Sequence, residues 1–321
     1  MREGGGNLPA AAAEANTAAH LRSFARDMID LHSHILPGID DGAADLDVSL
    51  AMARRAVADG VCVQACTPHI LPGVYNNTGA QIVAATAALQ AALDQNGIAL
   101  RLVPGADVHL APDIVPRLRR GEALSLAGSR YVLVEPSHHV APARMVDTFF
   151  NIMVAGYHPI LTHPERLAWI RPNYAMIGQL AAGGVWMQIT ASSLTGTFGA
   201  EPKYWAQRML EEGKVHILAS DCHNMERRPP NLREGREAAA KRVGEQEAWH
   251  LVFGRPQCIL DDKPPGSAPA PLAAGVKADK SDAGRAKVNN ASGAPPASPA
   301  GGRPGVLAYL DGVRRFIGGK E

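Results

Sequence analysis

Between Met28 and Asp262 the chain alternates short apolar runs with amphipathic stretches, and that alternation sharply limits the folds open to it. The apolar runs, expected as strands, are 28–34 (MIDLHSH), 61–66 (VCVQAC), 100–106, 131–135 (YVLVE), 159–163, 185–190 and 215–221. Helical patterns fill the gaps at 45–59, 78–95, 142–155, 173–182, 201–212 and 231–248, with a shorter one at 112–119. Strands that alternate with helices imply a parallel sheet, because each parallel pair needs a crossover connection. No G-x-G-x-x-G or Walker loop follows any strand, which weighs against a nucleotide-binding sheet and towards a closed (β/α) barrel.

Composition narrows the function classes. The 321 residues are 46% hydrophobic and 20% charged, as in ordinary soluble domains. Lys and Arg number 32 against 31 Asp and Glu, a net charge of +1 that lacks the basic excess of a nucleic-acid binder. The most apolar long stretch, Met145 to Thr162, is broken by Asp147, Asn151 and His158, so no transmembrane segment is expected. Glu14 splits the alanine tract of the first 27 residues, which read as a disordered leader without a secretory signal. Cys62, Cys66, Cys222 and Cys258 have neither zinc-ribbon nor disulfide-framework spacing, and a reducing cytoplasm is the expected compartment. Residues 263–321 are rich in Pro, Ala and Gly and read as a disordered tail, in which 306–317 is either a short docking helix or a frayed end. The expected organisation is therefore one domain over 28–262 between two disordered extensions.

Histidine carries the chemistry. Of the 12 copies, His32 and His34 lie two apart at the end of the first strand, where strand periodicity puts them on one face. Asp40-Asp41-Gly42 follows, the second strand runs into Thr67-Pro68-His69, and Asp107 and His109 follow the third. Glu135 ends the fourth, His163-Pro164-Glu165-Arg166 the fifth, and Asp221-Cys222-His223 the last. In a (β/α) barrel the C-terminal strand ends form the rim where active sites are built. Imidazole mixed with carboxylate suits Mn²⁺, Zn²⁺ or Fe, and the donors outnumber the roughly four to six positions of one ion, which implies two or three ions. His158 and His216 fall at the opposite strand ends and read as structural, while His20 and His250 read as solvated or packed. His109, and the pair His138 and His139, stay open between a loop role and the site.

The segments MIDLHSHILPGIDDG (28–42), TPH (67–69), GADV (105–108), SRYVLVE (129–135), THPER (162–166) and ASDCHNMERRPP (219–230) resemble, in order and spacing, the polymerase and histidinol phosphatase (PHP) superfamily. Within it they are most similar to the bacterial manganese-dependent tyrosine-protein phosphatases of capsular and exopolysaccharide operons, over about residues 28–262. Met28 stands where such proteins usually begin. The resemblance implies a distorted (β/α)7 barrel, a TIM-like PHP fold, around two or three Mn²⁺ ions. It implies that His32, His34 and Asp221 hold one ion, Glu135 and His163 a second with Asp107 bridging, and Asp41, His69 and His223 a third. Asp107 stands where the family usually has Glu, one methylene longer. Arg166 and Arg228 match the family's phosphate-binding arginines, with Arg227 a spare candidate. The implied substrate is a phosphotyrosine protein, an autophosphorylated bacterial tyrosine kinase of polysaccharide export. The alternatives are a small-molecule phosphatase, such as one for histidinol phosphate, or a catalytically weak regulatory protein. No Cys-x5-Arg loop is present, which disfavours a cysteine nucleophile.

Overall fold

Seven apolar runs do become parallel strands, in a computed structural model that describes residues 27–275. The leader before residue 27 and the stretch from 276, including 306–317, lie outside the described residues. The strands are β1 (Met28–Asp30), β2 (Val61–Cys66), β3 (His69–Ile70), β4 (Arg101–Pro104), β5 (Asp107–His109), β6 (Tyr131–Glu135), β7 (His158–Thr162), β8 (Trp186–Thr190) and β9 (Ile217–Ala219). They pair in the orders β1-β2-β4 and β3-β5-β6-β7-β8-β9, every pair parallel. The architecture is thus α/β with parallel sheets, its strands hydrogen-bonded as two sheets of three and six.

The interruptions have local causes. Thr67-Pro68 separates β2 from β3, and Pro68 has no N–H for a ladder, while Gly105-Ala106 separates β4 from β5. Single bonds span the gaps: Thr67 N–H donates to Ser33 O (2.9 Å), Gly105 N–H to Cys66 O (3.0 Å) and Asp107 N–H to Pro68 O (3.2 Å). Beyond the ends of β1 and β9, Ser33 and Cys222 form an isolated parallel bridge, flanked by Asp221 N–H on His32 O and His34 N–H on Cys222 O, both 2.9 Å. The segments carrying the histidine motifs are therefore tied directly to one another.

Helices fill the connections. They are α1 (Leu46–Asp59), α2 (Gly79–Gln95), α3 (Ile114–Arg119), α4 (Met145–Val154), α5 (Ile170–Ala182), α6 (Ala191–Thr195), α7 (Ala200–Glu211), α8 (Leu232–Val243), α9 (Glu245–Trp249) and α10 (Arg255–Leu260), the last two joined by a π turn over His250–Gly254. Local chemistry sets their ends: Asp45 accepts from Val48 N–H at the start of α1, and Thr78 with Gln81 forms a capping box on α2. Both faces of the sheet are buried, so the strands read as unbroken apolar runs. Along β6, Tyr131 and Leu133 join one apolar cluster while Val132 and Val134 join the other, against the helices.

The domain also continues past the expected boundary at 262. Arg255, fully buried, pairs with the buried Glu247 at 2.8 and 2.9 Å and donates to the carbonyls of Pro269 (2.7 Å) and Ala270 (3.0 Å). Tyr131 Oη donates to Lys263 O (2.8 Å) and Ala274 N–H to Glu211 O (2.9 Å). Residues 263–275 are therefore docked largely through backbone groups, which a segment with Leu272 as its one large apolar side chain did not reveal. Breaking a buried pair leaves an uncompensated charge, so Glu247→Ala is expected to destabilise the domain by about 3–5 kcal/mol, read from urea unfolding.

Candidate metal centre

Two of the strand-end segments carry unusual backbone at the residues that matter. His163 (φ 31°) and Asp221 (φ 51°) both adopt the left-handed conformation that side chains disfavour, a strain typical of functional sites. Gly42 lies against His34 so closely that a Cβ there would come within 2.0 Å of the His34 carbonyl oxygen. Polar partners then aim the rings. His34 Nδ1 bonds Asp40 Oδ2 (2.7 Å) and His32 Nδ1 bonds Gln188 Oε1 (2.9 Å), which leaves both Nε2 atoms facing the centre.

All nine residues singled out as ligands meet at this rim. His32 Nε2 and His34 Nε2 are 3.2 Å apart, and each is 3.4 Å from Asp221 Oδ1. Donors bound at about 2.1 Å to one ion lie roughly 3.0–3.4 Å apart, so this triangle has the size of a metal face. Asp41 Oδ1 is 3.5 Å from both His69 Nε2 and His223 Nε2, and His34 joins the same group. Glu135 Oε1 is 3.6 Å from His163 Nε2 and 3.1 Å from His138 Nε2. Asp107 groups both with His32 and His163 and with His69 and Glu135, and so lies between the other sets.

The electrostatics fit a cation site. Both Asp107 oxygens are buried without a hydrogen-bond partner, an expensive state for a carboxylate. Burial disfavours charge on His32 and His69, yet Asp221 and Asp107 around the first, and Glu135, Asp107 and Asp41 around the second, raise them to about 9 and about 10. The surrounding carboxylates thus draw positive charge to this spot, the charge a divalent ion would supply. Burial also works against charge on Asp221, but Arg228, His32 and Arg166 hold its carboxyl well below the usual range. Burial and His34 push His223 down to about 4, the neutral form a ligand needs.

Two arginines close the mouth. Arg166 Nη1 donates to Asp221 Oδ2, and Arg228 Nη2 donates to the same oxygen at 2.5 Å. Their guanidinium carbons lie 4.3 and 5.9 Å from the centre of the Phe198 ring, a shared aromatic shelf. Tyr75 stacks on His69 at 5.5 Å, which gives the mouth a second aromatic face. Asp40, Gln188, Phe198 and Tyr75 were missed from the sequence; only Asp40, beside Asp41 in a DDG run, carried a local signal. Of the residues left open, His138 joins a donor group, His139 is exposed, and His109 joins none among the described residues. Arg227 is exposed, apart from the two arginines at the mouth. His158 packs tilted against Tyr131 and His216 stacks on Trp186, and burial pushes them down to about 4 and about 3, as structural rings.

Parallel strands whose C-terminal ends converge imidazoles and carboxylates beneath two arginines define an α/β protein with a candidate multinuclear metal centre. The family model for capsular polysaccharide synthesis, CpsB/CapC, matches residues 28–261. The chain belongs to that family. It is 36% identical to the tyrosine-protein phosphatase YwqE of Bacillus subtilis over 226 residues, 70% of this chain and 89% of that protein. To the tyrosine-protein phosphatase CpsB of Streptococcus pneumoniae it is 28% identical over 241 residues, 74% of this chain and 99% of that one. A solved structure from work on YwqE and CpsB, described as unique metal-dependent tyrosine phosphatases, superposes with a TM-score of 0.72 at 33% identity, covering 78% of this chain and all of that one.

Metal removal provides the test of the centre. At free Mn²⁺ a hundred times its Kd, each bound ion should add about 3 kcal/mol of stability, lost on chelation. Asp107→Asn is expected to abolish most of that difference in chelator-matched urea unfolding.

Proposed function

We propose that the chain is a metal-dependent protein-tyrosine phosphatase that acts on an autophosphorylated tyrosine kinase of capsular or exopolysaccharide export. The observation that carries this reading is the convergence of nine imidazole and carboxylate side chains under Arg166 and Arg228. In it, His32, His34 and Asp221 hold one ion, Glu135 and His163 a second, Asp41, His69 and His223 a third, and Asp107 lies between. Mn²⁺ is the proposed metal, with Zn²⁺ or Fe compatible with the same donors. The architecture proposed with it is a distorted (β/α)7 barrel in which β2 with β3, and β4 with β5, each act as one interrupted strand. The working compartment proposed is the cytoplasm; among the described residues no helix is long and apolar enough to cross a membrane.

When bound, divalent ions supply Lewis acidity and charge neutralisation to phosphoryl oxygens. The chain supplies orientation. Arg166 and Arg228 offer planar, permanently charged donors that can bind phosphate oxygens bidentately, and Phe198 beneath them limits where they point. A phosphate dianion arriving at the mouth takes over donors that otherwise rest on Asp221. Phe198 and Tyr75 give an aryl group apolar faces against which to pack. A phenolate, with a pKa near about 10, also leaves with less proton assistance than an alkoxide.

The test starts from metal-free protein reloaded with Mn²⁺ and offers it a phosphotyrosine peptide, a phosphoserine peptide and histidinol phosphate. Fastest Mn²⁺-dependent release from phosphotyrosine is expected; preference for histidinol phosphate, or no release at all, overturns the reading. Arg228→Ala is expected to lower kcat/KM about 100-fold or more with bound metal unchanged, as for loss of one transition-state donor.

A further inference from the structure

His138 stands outside the nine residues, yet the chain fixes it beside them. It follows Glu135 by three residues in the loop after β6, and that loop is pinned on both sides of the ring. Trp169 Nε1 donates to Ser137 O (2.8 Å), and Ala168 N–H donates to His138 O (2.9 Å). Residues 168 and 169 continue directly from the segment that carries His163, so Glu135, His138 and His163 are held by one set of backbone contacts. His138 Nε2 lies 3.1 Å from Glu135 Oε1, and the His138 and His163 ring centres are 4.9 Å apart. One donor atom from each of the three falls within 4.8 Å of the others. The 3.1 Å separation is the edge length expected between two donors on one ion at bonds of about 2.1 Å. His163 Nδ1 and both oxygens of Asp107, all buried, have no hydrogen-bond partner.

We propose that His138 is a direct ligand of the ion held by Glu135 and His163, completing a set of two imidazoles and one or two carboxylates. The proposal rests on the metal-dependent reading above. It adds a partly exposed ring from the loop after β6 to donors that otherwise come from the strand ends and the Asp41 loop. The competing role for His138 is a hydrogen bond to the Glu135 carboxylate without contact to the ion, which orients a ligand but supplies none.

Two substitutions separate these roles. His138→Ala removes both functions, whereas His138→Gln keeps an N–H donor for Glu135 and removes the imidazole. Metal-free samples, matched by circular dichroism, are titrated with Mn²⁺ by calorimetry, and their metal content is measured after dialysis. Loading with Co²⁺ reports the ligand field through visible absorption. Both variants are expected to lose one ion after dialysis, or to bind it about 10- to 100-fold more weakly, with an altered Co²⁺ spectrum, and His139→Ala to match wild type. A His138→Gln protein with wild-type affinity and spectrum overturns the proposal and leaves the phosphatase reading standing. Weaker binding with an unchanged spectrum likewise overturns it in favour of the hydrogen-bond role. A wild-type protein that takes up no divalent ion overturns both.

Discussion

Asp221 is the contact on which the rest of the site depends. Its carboxylate is buried, which is costly for a charge, and it survives because His32, His34, Arg166 and Arg228 all converge on it. That convergence ties three separate strand ends to one point. It also explains the local backbone: Asp221 takes a left-handed conformation and is bracketed by the bonds that join the ends of β1 and β9. Below it, Asp30 accepts from the backbone N–H (3.0 Å) and the hydroxyl (2.5 Å) of Ser220, so the residue before Asp221 is held as well.

What could be read from the sequence follows from how local each cause is. The runs 61–66 and 131–135 became β2 and β6 without change; β6 is buried along its whole length and β2 apart from the partly buried Cys62 and Val63. β3 and β5 were not expected, because each has only two or three residues and follows an expected run after a break at Thr67-Pro68 or Gly105-Ala106. The pattern over 231–248 splits at Gly244 into α8 and α9, and the continuation through the π turn into α10 carries Pro256 near its start, a residue that usually stops a helix. The docking of 263–275 rests largely on backbone groups, which every residue has and no composition can reveal.

The site was more legible than the fold that builds it. H-x-H and D-C-H marked the donors, but His32, His34, Asp221 and His223 lie beyond β1 and β9, and the Ser33–Cys222 bridge with a left-handed Asp221, rather than strand parity, sets their positions. Gln188 and Phe198 carry no such pattern: each matters through a contact more than thirty residues away in sequence, as with Gln188 on His32 and Phe198 under Arg166. His138 is intermediate, close to Glu135 in sequence yet oriented by Trp169 and Ala168.

Charge then orders the events at the mouth. Asp41, Asp107, Glu135 and Asp221 outnumber the guanidiniums of Arg166 and Arg228, so with neutral imidazoles the site is negative and repels a phosphate dianion. Protonated His32 and His69 offset this only by giving up the lone pairs a metal needs. Divalent ions held by these residues would supply that charge, neutralising the carboxylates with the rings left neutral. Asp221 would be one residue to hold such an ion through Oδ1, while its other oxygen, Oδ2, is the one that Arg166 and Arg228 contact. Among the described residues, Asp221 is the side chain whose two oxygens join the candidate metal face to the arginine pair.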